Sequence, residues 1–435
     1  MLSEPISNKK KFISNTIWIL LERIVQMIIQ LLVGLVSIRY LGPENYGTIS
    51  YIGSFISLFN SICTLGLDGI VIKHLIDEPE NTGEIVGTSI VMRIISSTIS
   101  IIGILIMIYI VDDGNKNLLF LTILQSIYLL FMSFEIIDFW FQSKLNSKYV
   151  SIAKTIATLI VSMWKVYLLA TSKSLAYFSF STTLQYIVIA VLLIYLYFKQ
   201  GGETLNVSII RAKNLIKESY HFILSGMMVV IYTQMDKIMI GKMIDKEQVG
   251  IYTAASNIPG MYSFIFMAII NSSRPIILET KRKSNIEYLK KIKQLYSTII
   301  WISIFISIIM AFSSKLTMYI LYGKSYLVGS DVLKIATWSN IFSILGTARG
   351  IWIVAENKGK YVKKYLMWGA IVNLVLNVFM IPIYGINGAA IATLITQIVT
   401  CIVAPIFYKE TRIHTRYIYE SILLKWGDSK REYKK

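Results

Sequence analysis

Ionisable side chains recur inside stretches of this chain that are otherwise apolar. The first half carries Glu22 and Arg23, Arg93, Glu135 and Asp138, Lys154 and Lys165; the second carries Asp236 and Lys237, Asp331 and Lys334, and Arg349. A charge at the centre of a bilayer is unfavourable by roughly 2.5 to 3.5 kcal/mol on insertion scales, so such residues face a bundle interior or a wet cavity. Guanidinium and ammonium groups in that setting make a cavity cationic, and carboxylates carry protons or balance the cations. Arg23, Lys237 and Arg349 sit too deep in their runs to escape easily to the headgroups, whereas Lys154, Arg274 and Lys315 lie near span ends, where long side chains snorkel. Polar residues also share helix faces: Ser50, Ser54, Ser57, Ser61, Thr64 and Asp68 follow alternating steps of four and three, and Ser151, Lys154, Thr158, Ser162 and Lys165 are likewise three or four apart. Such stripes line cavities or pack helices together, and Glu135, Asp138 and Lys154 are also placed to neutralise one another. His74, His221, His414, Cys63 and Cys401 show no metal-ligand spacing, and no phosphate-binding glycine motif is present. No cofactor is expected, and no transport driven by ATP bound to this chain.

These residues need membrane-length elements to hold them. Apolar residues make up 55% of the chain, and runs of about 20 residues, enough to span a hydrocarbon core of about 30 Å, recur from end to end. Breakers between the runs place spans near 13–38, 48–72, 87–111, 118–141, 150–170, 175–198, 219–243, 250–275, 295–321, 328–355, 361–383 and 387–408. The expectation is an all-α integral membrane protein of twelve helices in two six-helix lobes. The lobes run 1–199 and 218–409, joined by a cytoplasmic linker 200–217 and followed by a basic cytoplasmic tail 410–435. The first run is too long for a cleaved signal and reads as a span. Lys and Arg concentrate in alternate connections, such as "ETKRKSNIEYLKKIK" and "NKGKYVKK", which puts both termini in the cytoplasm of a cell-membrane protein. The formal charge of +18 therefore belongs to inner loops facing anionic lipid rather than to nucleic acid. Connections are short, leaving no soluble domain to house an enzyme.

"RYLGPENYGTISY" is echoed by "KMIDKEQVGIYTA", aligning Arg39 with Lys242, Glu44 with Glu247 and Gly47 with Gly250. Each copy ends the first span of a half, so the halves are parallel repeats. Proline stops the first span by removing an amide donor and disfavouring helix in the residue before it.

"RYLGPENYGTISYIGSF", "LGLDGIVIKHL", "QMDKIMIGKMIDKEQVGIYTAASNI" and "YGINGAAIATLITQ" resemble the polysaccharide repeat-unit flippases (Wzx type) of the multidrug/oligosaccharidyl-lipid/polysaccharide exporter superfamily. The similarity covers nearly the whole chain. It implies two lobes around a central cavity and alternating access. The implied cargo is an undecaprenyl-pyrophosphate-linked oligosaccharide, moved to the outer leaflet for O-antigen or capsule assembly. Within that frame Arg23, Lys237, Arg349 and Lys165 are expected to bind the pyrophosphate. Arg39, Glu44, Lys242 and Glu247 are expected at the outer mouth, and Glu22, Asp68 and Asp236 at coupling to H+ or Na+. The implied partners are the lipid-linked oligosaccharide, membrane lipid and polysaccharide polymerase machinery. The rivals are a multidrug exporter of the same superfamily, whose cavity would be acidic or aromatic, and a peptidoglycan-precursor flippase, which usually has two further helices.

Overall fold

The computed structural model describes residues 4–424; residues 1–3, the tail from 425 onward and the side chains of Lys9, Lys10 and Lys11 lie outside that description. The described chain is almost wholly helical. Its helices are α1 (Glu4–Cys63), α2 (Asp68–Asp77), α3 (Thr82–Val111), α4 (Lys116–Ser126), α5 (Tyr128–Met132), α6 (Ile136–Ser143), α7 (Ser147–Ala170), α8 (Leu175–Lys199), α9 (Ile209–Met243), α10 (Lys246–Lys283), α11 (Asn285–Tyr322), α12 (Ser330–Ala355), α13 (Lys360–Ile398), α14 (Ala404–Ile406) and α15 (Arg412–Ile422).

Among the described residues, nine helical stretches are long and apolar enough to cross a membrane, against the twelve spans expected. The difference has two sources. Ile17–Asp77 and Lys360–Ile406, at 61 and 47 residues, are each more than twice the length of about 20 residues that one crossing needs. Each bends at a glycine outside helical geometry, Gly42 (φ 69°, ψ 173°) and Gly385 (φ 58°, ψ −139°). Helix α12 is long enough, but polar residues such as Asn340 and Arg349 dilute it. The repeat is visible locally: Gly42 aligns with Asp245, and where Gly42 turns the chain by positive φ, Asp245 caps α10 by accepting from the Gln248 amide at 2.7 Å.

The expected fourth span, 118–141, is broken at Ile127 and again by a 3₁₀ turn at Ser133–Glu135, although it contains neither glycine nor proline. The cause is tertiary. The Thr183 hydroxyl of α8 donates to the Leu124 carbonyl at 2.7 Å, and the Ser97 hydroxyl of α3 donates to the Leu129 carbonyl at 2.9 Å. These carbonyls would serve the amides of 128 and 133 in an unbroken helix, and a competing donor at each opens the ladder.

The chain divides into two compact units, Met1–Val230 and Ile231–Lys435. The division falls inside α9, downstream of the linker expected at 200–217, because that linker is bonded to the first unit. Glu203 accepts from the Gly83 amide at 2.8 Å, the Ser208 amide donates to the Thr88 hydroxyl at 3.0 Å, and Arg211 bridges Glu78 at 2.7 Å and Glu84 at 3.1 Å. Gly87 permits this approach: a Cβ there would stand 2.4 Å from the Asn206 carbonyl oxygen. The first unit packs around Trp140, Phe141, Tyr197, Val71 and Val86, the second around Tyr288, Tyr296, Phe266, Trp352 and Tyr365. Part of the expected basic tail is the amphipathic helix α15, tied to α11 by an ion pair of 2.5 Å between buried Lys293 and Glu420.

Two outcomes follow from the bonded linker. Gly87→Ala should lower thermal stability in detergent by about 1 to 3 kcal/mol through overpacking, while Gly34→Ala, whose methyl meets nothing within 4 Å, should not. Donation from Arg211, then Asn81 and His74, holds the Glu78 carboxyl down at about 2. A depressed carboxyl contributes stability that is complete above its ordinary value of about 4.3 and is lost as pH falls toward the folded value. Hydrogen-exchange protection of the linker amides should therefore fall across that window in the native chain and lose the dependence in Glu78→Gln.

Candidate functional site

In the first unit several of the charged residues predicted inside spans pair with one another. Arg93 of α3, 2% exposed, donates to Asp68 at the start of α2 at 2.5 Å. Lys154 of α7 donates to Asp138 of α6 at 2.6 Å and lies 3.6 Å from Glu135, and Asp138 also accepts from Gln142 at 3.0 Å. Glu22 of α1 accepts from Gln26 at 3.1 Å and lines a groove of about 320 Å³ with Trp18, Ser151 and Thr155. Arg23 follows it on α1 and is exposed. Lys165 is only partly exposed on α7 and has no carboxylate partner among the described residues.

The hydroxyl stripe of the second expected span divides in two. Ser54 and Ser57 turn back to the carbonyls of Ser50 and Gly53, both at 2.8 Å. Ser61, Thr64 and Asp68 line a cavity of about 480 Å³ with Lys73 and Phe222, at the point where the helix breaks through Leu65 and Gly66, both of positive φ.

In the second unit, Asp236 of α9 is 3% exposed and is surrounded by neutral donors. Its Oδ1 accepts from Asn373 at 3.0 Å and Asn377 at 2.6 Å; its Oδ2 accepts from the Tyr252 hydroxyl at 2.6 Å and from the Thr393 hydroxyl. The fold assembles this shell by doubling α13 at Gly385, so that Asn373 and Asn377 before the bend and Thr393 after it reach one carboxylate. Tyr252 and Thr393 also line a cavity of about 240 Å³ with Ser256, Asn340 and Gln397. The Asn377 Oδ1 is buried and without a partner among the described residues, an extra hard oxygen beside the carboxylate. Carboxylate, amide and hydroxyl oxygens suit a proton or a hard cation. No group of three or more His, Cys, Asp and Glu fit for a metal ion occurs among the described residues. Sequence reasoning named Asp236 but missed its shell; the signal was an Asn pair four residues apart in an apolar span.

Lys237 follows Asp236, yet its ammonium donates to Gln234 at 3.1 Å, because consecutive residues of a helix point to different faces while residues three apart share one. Arg349, expected to meet an anion, is instead engaged within its own unit. Its Nη1 donates to the carbonyls of Thr400 at 2.8 Å and Cys401 at 3.4 Å, and its guanidinium lies 4.6 Å from the Tyr365 ring centre. The reason is Pro405: it has no amide proton for the Cys401 carbonyl, the helix relaxes into a π turn over Val399–Val403, and Arg349 satisfies the freed oxygens. Arg39 and Glu44 flank the Gly42 bend, and Lys242 and Glu247 flank the α9–α10 turn; all four are exposed.

The fold matches solved transporters of the MOP superfamily. An inward-facing multidrug resistance MATE family transporter aligns with a TM-score of 0.66 at 14% identity, covering 91% of this chain and 99% of that one. The lipid II flippase MurJ in an inward closed conformation aligns at 0.64 with 15% identity, covering 95% and 90%. At such identities the likeness is one of fold. A probable low-salt glycan biosynthesis flippase of Haloferax volcanii is 24% identical over 220 residues, 49% of this chain and 44% of the relative, so the match spans less than half of that protein's length. The family model described as polysaccharide biosynthesis protein matches residues 12–281, well over half of the sequence, and the chain belongs to that family.

Proposed function

We propose that this protein flips a lipid-linked oligosaccharide, carried on an anionic pyrophosphate, from the cytoplasmic to the outer leaflet of the cell membrane by alternating access. On this proposal it makes twelve crossings in two six-helix lobes around a central cavity, with the bends at Gly42 and Gly385 each separating two of them. The observation that carries the proposal is a pair of uncompensated cations. Among the described residues Lys165 has no acidic partner, and Lys237 has only the Gln234 amide although a carboxylate is its neighbour in sequence. An ammonium left without a counter-ion in a span needs an anion from elsewhere, and a pyrophosphate supplies one while its lipid tail stays in the bilayer. Arg23, exposed on α1, joins them. Arg349 is assigned to holding the π turn rather than to cargo. Arg39, Glu44, Lys242 and Glu247 remain assigned to the outer mouth. Asp236, enclosed by four donors and beside an orphaned amide oxygen, is assigned to the coupling ion, H+ or Na+.

The test is translocation of a fluorescent lipid-linked oligosaccharide in proteoliposomes. Lys165→Gln and Lys237→Gln are each expected to slow it by at least about tenfold, on the scale of 2 kcal/mol or more for removing one partner of a buried charge pair. Unchanged rates in both would overturn the cargo assignment. Cation-drug export at undiminished rate by the same variants would favour the multidrug-exporter alternative. Asp236→Asn is expected to abolish dependence on the ion gradient while leaving cargo affinity in place. Arg349→Met should instead destabilise the protein by about 1 to 3 kcal/mol, the cost of leaving a buried polar group unmade, read as a lower unfolding temperature with cargo affinity retained.

A further inference from the structure

The cavity of about 240 Å³ in the second unit is wider than the Asp236 shell that borders it. Residues of α10, α12 and the half of α13 that follows the Gly385 bend enclose it, and none of those lining it is Asp, Glu, Lys, Arg or His. Neutral hydrogen-bonding groups take their place, and several are unmatched. Ser339, only 5% exposed, lines the cavity with a hydroxyl that has no hydrogen-bond partner among the described residues, and the same holds for the Ser343 hydroxyl and the Gln397 side-chain amide. The Asn340 amide makes only long bonds, to the Ser263 hydroxyl at 3.3 Å and the Pro259 carbonyl at 3.5 Å. Tyr252 and Thr393 direct their protons to Asp236, which leaves their oxygen lone pairs free to accept.

These groups lie in helices of membrane length, where polar side chains face a bundle interior or a wet cavity. The cavity has an opening, since Gly260 of α10 and Ser343 of α12 are exposed. It also has a floor without side-chain atoms: a Cβ on Gly260 would meet nothing within 4 Å. The wall selects its occupant by chemistry. Without formal charge it gives no counter-ion to an anion or a cation, and an apolar occupant would leave its amides and hydroxyls unpaired. An uncharged ring carrying hydroxyls, which both donate and accept, matches every part of it.

We propose that this cavity is a subsite for one neutral sugar residue of the translocated oligosaccharide. Ser339, Asn340, Ser343 and Gln397 hydrogen-bond the ring substituents, while Tyr252 and Thr393 accept from its hydroxyls. The assignment rests on the flippase reading and adds to it a contact with the glycan itself. Recognition is then divided: cations hold the carrier pyrophosphate, and a charge-free wall reads the sugar.

Saturation-transfer NMR of the full chain in detergent micelles tests the subsite with free glucose, galactose, N-acetylglucosamine and rhamnose, none of them carrying lipid or pyrophosphate. The native protein should transfer magnetisation to the ring protons of at least one. Gly260→Leu should abolish the transfer by filling the cavity, and it should fold, because its Cβ has open space and leucine favours a helix more than glycine does. Gln397→Leu should weaken sugar binding by about tenfold, the scale of one lost hydrogen bond. Lys237→Gln, which removes a proposed pyrophosphate contact, should leave sugar binding as it is. Binding lost in Gly260→Leu and kept in Lys237→Gln supports the subsite whether or not lipid-linked cargo is translocated. Transfer to none of these sugars, or transfer that persists in Gly260→Leu, overturns it. Should Gly260→Leu fail to fold, the weakening expected of Gln397→Leu decides the matter.

Discussion

Inside a hydrocarbon layer there is no water to accept a stray hydrogen bond, so the backbone polar groups of a span must find their partners within the protein. Pro405 leaves the Cys401 carbonyl without its usual amide, and a guanidinium from α12 takes its place. Hydroxyls of α3 and α8 claim carbonyls of the fourth expected span, and the helix answers by breaking. In each case an irregularity on one helix is matched by a donor from another, and these matches hold the bundle in register.

The same constraint governs charge, and the two units meet it differently. The first disperses four carboxylates over α1, α2, the 3₁₀ turn and α6, and sets cations from α1, α3 and α7 against them. The second pairs Asp331 with Lys334 at 2.7 Å and surrounds its other carboxylate inside the spans, Asp236, with a phenol, two amides and a hydroxyl. A neutral shell stabilises the carboxylate without cancelling its charge, which suits a group that exchanges a small cation. Lys237, on a neighbouring face of α9, has no carboxylate partner among the described residues. An ion held by Asp236 and an anion held by Lys237 would then sit on adjacent residues of α9, a direct electrostatic path between coupling ion and proposed cargo.

The linker shows how connection and boundary differ. Its composition, with Gly201, Gly202 and a run of polar residues, reads as a flexible joint. Glu203, Asn206, Ser208 and Arg211 instead fasten it to α3 and its approach. The compact units accordingly part within α9, because a segment belongs to the body that satisfies its hydrogen bonds.

The sequence by itself determined the class of the protein, the depth of its ionisable residues and the paired breaks at Gly42 and Asp245. Apolar run length, helical spacing and backbone-restricting residues are properties of the chain alone. It also held the neutralisation of Lys154 by Glu135 and Asp138, since all three charges lie in adjacent spans. Partners from distant helices were decided only by tertiary structure: Asp68 for Arg93, the Thr400 and Cys401 carbonyls for Arg349, and Asn373, Asn377 and Thr393 for Asp236. Periodicity fixes the face and the depth of a side chain, but the neighbour opposite that face depends on how the helices pack, and a hydrogen bond is satisfied or lost within a few tenths of an ångström.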